Sequence, residues 1–317
     1  MVPMTHRAWV WEGSADPDDL FLIELPLPAM EPGDVLVRNV TIGLNALDWR
    51  SLEGAGAEWR LGQVPGVDGA GVVVAVGEGV SQKWLGRRVS YHQNPKRAGA
   101  FAEYTAVPAH VLMRVPPTVS WSDAASLPCA ALSAWLGFIQ LPLACKRLVV
   151  CDIEGAVAHH LVQLAEKRRI LTTVIRHAVD AESSAKLDAE VACAGMRDDL
   201  EENPQVFDTV MVIGGDARSV GLESRTSIDR EVIRIDDWPD IPASDRDSWR
   251  RLVSAGESLL DSLGRREWKK EVVREVPFEL LAERLAGVKD GVFPERSIVR
   301  STAPAESVSF PPQAMIC

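Results

Sequence analysis

The chain has 317 residues, 46% of them hydrophobic and 25% charged, which is enough for two domains that each bury a core. Its formal net charge of −11 opposes nucleic acid and anionic membrane surfaces as partners, since both would be repelled at long range. No apolar run approaches the roughly 18 residues of a membrane span, and Met1 to Arg7 holds no apolar stretch behind a basic head. The five cysteines (Cys129, Cys145, Cys151, Cys193, Cys317) are odd in number and form no CxxC pair, so reduced thiols in a cytoplasmic protein are expected.

Residues 1–117 read as mostly β. Short apolar runs such as Val35-Leu36-Val37 and Val72 to Val76 are separated by Gly and Pro at Pro32-Gly33 and Pro65-Gly66, the pattern of a small barrel. From residue 118 the rhythm changes. A helix is expected over Ala124 to Gly137, broken or kinked by Pro128. Arg147 to Ile153 reads as a buried strand, and a helix from Gly155 to Arg168 follows with Val157, Leu161 and Leu164 on one face. Further strands are expected at Ile170 to Ile175 and Val206 to Ile213. Strand, helix and strand with short connections imply a parallel sheet and a right-handed crossover. Towards the end, Phe278 to Ala286 reads as helix and Ser297 to Arg300 as a closing strand. Residues 301–317 read as a loose tail.

Several segments, in order, resemble the medium-chain dehydrogenase/reductase superfamily, in particular its zinc-free quinone-oxidoreductase branch. They are Gly43-Leu44-Asn45-Ala46-Leu47-Asp48-Trp49-Arg50, then Pro65-Gly66-Val67-Asp68-Gly69-Ala70-Gly71-Val72-Val73 with Val76 to Val80. Gly86 to Tyr91, Gly99 to Tyr104, Ala124 to Pro128 and Leu132 to Trp135 follow as that family would have them. The resemblance implies an α/β protein: a GroES-like β-barrel domain over 1–117 with 265–300 returning to it, and a Rossmann-type doubly wound parallel sheet over 118–264. It places the active site in the cleft between them.

The same resemblance implies site residues. Asn45 and Trp49 would lie beside nicotinamide and substrate, while Asp48 holds the turn. Tyr91 and His92 would line the cleft, Tyr91 either donating to a carbonyl or enolate oxygen or simply packing. Ser133 keeps a hydroxyl where the family commonly has a Thr on the cofactor. No metal is expected. Zinc-dependent relatives have a Cys near 43 and a His-Glu pair after Pro-Gly, whereas Gly43, Val67 and Asp68 stand here.

The dinucleotide loop departs most from the family. Its zinc-free members read approximately G-A-x-G-G-V-G, and this chain reads Asp152-Ile153-Glu154-Gly155-Ala156-Val157-Ala158. Only Gly155 survives of the expected glycines, and two carboxylates have arrived. A carboxylate about 5 Å from one phosphate charge, at an effective dielectric near 20, costs about 3 kcal/mol. Asp152 is free of that objection if it turns away to cap the helix. Arg176, after the next strand, would meet the 2′-phosphate of NADPH or stand solvated on a loop, and Gly214 ends the later strand at the cofactor edge.

Two functions follow from this. One is NADPH-dependent, zinc-independent reduction of a quinone or α,β-unsaturated carbonyl. The other is a non-redox descendant that lost the dinucleotide through Asp152 and Glu154, as a lyase- or cyclase-type enzyme on a small apolar substrate or a silent binding protein. A homodimer stays open, because no edge strand for it is evident between Ile235 and Leu259.

Overall fold

The computed structural model describes residues 3–54, 59–152, 155–175, 208–213, 231–235, 241, 245–292 and 296–302. Its strands, in chain order, are β1 (Thr5–Val10), β2 (Phe21–Pro26), β3 (Asp34–Gly43), β4 (Asp68–Val76), β5 (Arg88–His92), β6 (Tyr104–Pro108), β7 (Met113–Arg114), β8 (Arg147–Asp152), β9 (Leu171–Ile175), β10 (Thr209–Ile213), β11 (Glu231–Ile235), β12 (Val273–Pro277) and β13 (Arg296–Arg300). The helices are α1 (Ala46–Gly54), α2 (Trp121–Ser126), α3 (Pro128–Gln140), α4 (Ala156–Lys167), α5 (Arg246–Gly264) and α6 (Leu281–Lys289). Two compact units result, Met1–Cys129 with Ile241–Cys317, and Ala130–Asp240.

The first unit is built on β3, which is buried almost throughout. β3 pairs antiparallel with β4 along its length, with β6 over Asp34 to Arg38 and with β13 over Thr41 to Gly43. The sheet runs β12-β13-β3-β4-β5-β7, and β1 and β2 form a separate ribbon. Register shifts at Leu36/Val37 and Asn39/Thr41 bend the β3–β4 pair. Val35, Val37, Ile42, Val73, Val89, Phe101 and Val107 fill its interior.

This unit extends beyond 1–117 and 265–300. Residues 118–129 and 241–264 group with it, because α2 packs on β3 and β4 while α5 packs on β7 and the turn at Ala109–Val111. No element is expected at α5 from sequence. It buries Trp249, Leu252, Leu259 and Leu260 along one stripe, and Asp245 caps it by accepting from the Ser248 amide at 3.1 Å. Sequence reads Gly43 to Arg50 as a turn, yet most of it forms the start of α1. The expected helix at 278–286 is a 3-10 turn (Phe278–Leu280) that runs into α6.

The second unit holds four parallel strands in the order β11-β10-β8-β9. Helix α4 connects β8 to β9, burying Ala158, Leu161, Leu164 and Ala165 on the face the sequence spacing indicates. Pro128 does interrupt the helix expected over 124–137: α2 ends at Ser126 and α3 begins at Pro128 itself, the position where a missing N–H does no harm. Among the described residues no helix is long and apolar enough to cross a membrane. Phe293, Pro294 and residues 303–317 lie outside the described residues.

Candidate functional site

In the first unit a buried polar network joins five elements at the end of β3. Leaving that strand, Asn45 and Asp48 open α1 as a reciprocal pair: Asp48 Oδ2 accepts from the Asn45 amide at 2.7 Å, and the Asp48 amide donates to the Asn45 carbonyl at 3.1 Å. Asp48 Oδ1 also accepts from the Val67 amide at 3.0 Å, tying the helix to the turn before β4. Burial pushes the Asp48 carboxyl up to about 8. The Asn45 amide works against that, Asp68 adds to it, and the Val67 amide and Arg296 oppose it. Asp48 therefore serves the turn, as its sequence context suggests.

Asp68, first residue of β4, is the hub. It is fully buried and accepts three hydrogen bonds, from His92 Nδ1 at 2.7 Å, Asn45 Nδ2 at 3.2 Å and the Cys129 amide at 2.9 Å. Strands β4 and β5 pair Asp68 directly with His92, so register alone brings these two together. A carboxylate facing Nδ1 favours the histidine tautomer that donates from that nitrogen. The outer end of the network is Arg296 on β13, whose Nη2 donates to Asn45 Oδ1 at 2.5 Å and whose Nη1 lies 3.4 Å from Glu271. This ion pair is almost entirely shielded from water.

Tyr91 takes no part in it. Its ring is fully buried, and its hydroxyl donates to Asn39 Oδ1 at 2.8 Å on the barrel interior. Gly69 makes the room, because a Cβ there would overlap the phenol. Burial raises the Tyr91 pKa and keeps the phenol neutral. Trp49 is half-buried on α1, with the Arg50 guanidinium 5.2 Å and the Lys289 ammonium 6.0 Å from its ring.

Position 43 has no room for a ligand, since even a Cβ on Gly43 would overlap the Ala125 carbonyl of α2. Val67 offers no donor. Asp68, His92 and Cys129 each present one potential ligand atom, and the three lie within 4.8 Å of one another. Asp68 already accepts from His92 Nδ1 and from the Cys129 backbone amide, while the Cys129 Sγ takes no part in those two bonds.

The second unit carries the nucleotide loop. Gly155 has φ +79°, a left-handed conformation that turns β8 into α4. Asp152 is buried, and its Oδ2 accepts from the Ala158 amide at 2.6 Å, so it turns inward and caps the first turn of α4. Ala156 and Val157 are half-buried at the helix start, and Ser133 is buried on α3. Glu154, Arg176 and Gly214 lie outside the described residues.

Residues 31–117 match the Alcohol dehydrogenase GroES-like domain. The chain is 29% identical over 223 residues to an NADPH-dependent alkenal/one oxidoreductase of Arabidopsis thaliana, covering 66% of this chain and 57% of that protein. It is 32% identical over 161 residues to a trans-enoyl reductase of Gibberella fujikuroi, 47% of each chain. The quinone oxidoreductase structure from Coxiella burnetii superposes with TM-score 0.71 at 18% identity, over 94% of this chain and 99% of that one. Residues 31–117 thus carry a GroES-like domain of the alcohol dehydrogenase type, and the chain has the α/β fold of its structural neighbours. It spans about half the length of the curated relatives it matches. The GroES-like domain and α/β fold are those that the motifs from Gly43 to Tyr104 imply.

Sequence reasoning found Asn45 and His92 but missed what joins them. Asp68 was legible only as a replaced ligand, and Cys129 only as a reduced thiol. Arg296 reaches Asn45 from 251 positions away and has no local signal at all.

Proposed function

We propose that this protein is a zinc-independent, NADPH-dependent reductase of a small conjugated carbonyl compound, an enone or a quinone. The names of its relatives support the reaction class: an NADPH-dependent alkenal/one oxidoreductase, trans-enoyl reductases and a quinone-oxidoreductase of Triphysaria versicolor. The observation that carries the reading is the turn from β8 to α4. Gly155 keeps its left-handed backbone, and Asp152 turns its carboxylate onto the Ala158 amide instead of outwards. A glycine in this conformation before a helix N-terminus supports phosphate binding there, and the nearby carboxylate opposes it.

Gly155, Ala156 and Val157 would hold the diphosphate, with Ser133 as a further contact; the family resemblance adds Glu154, Arg176 and Gly214. The nucleotide would supply hydride. Asn45 and Trp49 would orient the substrate, Asn45 being held in one rotamer by Asp68 and Arg296 on either side of its amide. His92, oriented by Asp68, would govern the proton that follows the hydride. Tyr91 would support the site by holding Asn39 inside the barrel.

The test is calorimetric titration with NADPH and NADH. Binding of NADPH is expected, and Asp152→Asn, which removes the charge but keeps an acceptor for the Ala158 amide, is expected to tighten it tenfold or more. No heat with either nucleotide, in the natural protein and in D152N, would sink the reductase reading. One observation favours the alternative, a non-redox descendant of the fold: an amide at the helix N-terminus is already taken by an internal carboxylate. That reading expects D152N to leave the protein still indifferent to nucleotide.

A further inference from the structure

Cys129 is the second residue of α3, half-buried and not in a disulfide. Its amide donates to Asp68 Oδ2 at 2.9 Å, and Asp68 Oδ1 holds His92 Nδ1 at 2.7 Å. The Cys129 Sγ, a ring nitrogen of His92 and a carboxylate oxygen of Asp68 lie within 4.8 Å of one another. Asp68 and His92 are sealed from water, whereas Cys129 is only half-buried.

These are the parts of an activated thiol: a carboxylate that orients an imidazole, an imidazole that takes a proton, and a sulfur beside it. The start of a 13-residue helix adds a positive end that favours the anion. Asp68 alone would disfavour a thiolate, but an imidazolium between the two reverses that sign, and Asp68 then stabilises the imidazolium. The other charged groups of the network are Asp48 on α1 and the Arg296–Glu271 pair, which joins it through Asn45.

We propose that Cys129, with His92 as its base and Asp68 orienting that base, is a covalent addition site for activated alkenes. The thiol proton passes to His92, and the sulfur adds to the β-carbon of the alkene. The C–S bond forms as the C=C π bond breaks towards the carbonyl oxygen, and the enolate takes the proton back at its α-carbon. Nothing is oxidised or reduced and no group leaves. The protein gains the mass of one alkene. The site rests on the cluster alone and stands whether or not a nicotinamide nucleotide binds.

The test uses the full chain without nucleotide, labelled with N-ethylmaleimide and with cyclohexenone, and read by intact mass and peptide mapping from pH 6 to pH 8. Cys129 is expected to be modified ahead of Cys145, Cys151, Cys193 and Cys317, at a rate that falls less than tenfold between pH 8 and pH 6. An ordinary thiol loses close to two orders of magnitude of its thiolate over that interval. His92→Gln is expected to slow labelling at pH 6 by tenfold or more. Because the natural protein's pH profile is read by itself, a poorly folding H92Q does not remove the test. An ordinary thiol profile at Cys129, or labelling of Cys129 only after denaturation, overturns the proposal. Absence of NADPH binding bears on the reductase reading and not on this one.

Discussion

Asp48 shows how a single side chain can be structural and still titrate. Burial raises its carboxyl to about 8, so the native state holds a proton there that the unfolded chain has lost above about pH 4. Between those values the folded state binds more protons than the unfolded one, and stability falls as pH rises. We expect urea midpoints to decline from pH 5 to pH 8, with a shallower decline in Asp48→Asn. Asp48→Ala strands the buried amides of Asn45 and Val67 and is expected to lower stability by about 2–4 kcal/mol, read by urea denaturation.

His110 has the opposite sign. Burial, helped by Arg246 and Arg97, lowers its pKa to about 4, and its ring stands edge-on to Trp249 with centroids 5.9 Å apart. The native state keeps His110 neutral while the unfolded chain protonates near 6.5. Its contribution is complete above pH 6.5 and is lost as pH falls towards 4. His110→Gln is expected to flatten the acid limb of the stability profile over that window; an unchanged limb would place the acid sensitivity elsewhere.

At the scale of elements, what the sequence shows depends on whether the signal is local. α4 is legible because Val157, Leu161 and Leu164 repeat at helical spacing, and the break between α2 and α3 is legible because Pro128 lacks an N–H. α5 was not legible: four of its first six residues are charged (Arg246, Asp247, Arg250 and Arg251), so its face is defined by the surface it covers. Among the described residues of the β8–α4 turn, Gly155 is the one with a left-handed backbone. Gly155→Ala is expected to cost about 1–2 kcal/mol, because a Cβ is strained at φ +79°. Circular dichroism melts of the pair would measure it.

At the scale of the molecule, the two units report differently. Of the ten tryptophans, Trp135 and Trp238 belong to the second unit and the rest to the first. Asp48→Ala should therefore shift the tryptophan-detected transition at least as far as the one seen by circular dichroism, whereas Gly155→Ala should move the circular dichroism transition further. Equal shifts of both signals in both variants would mean that the units unfold as one.

The sequence by itself determined the architecture. Glycine and proline punctuation, strand-length apolar runs and one helical period are local properties, and local properties survive in a linear string. It also determined that position 43 carries no metal-binding side chain and that acids enter the nucleotide loop. Only the tertiary structure decided what those residues touch. Asp152 was turned onto its own helix by the geometry of the β8–α4 turn, and the pairing register of β4 with β5 set Asp68 against His92. Cys129 and Arg296 joined them from α3 and β13, because hydrogen bonds between buried groups distant in sequence form only when the chain has closed around them.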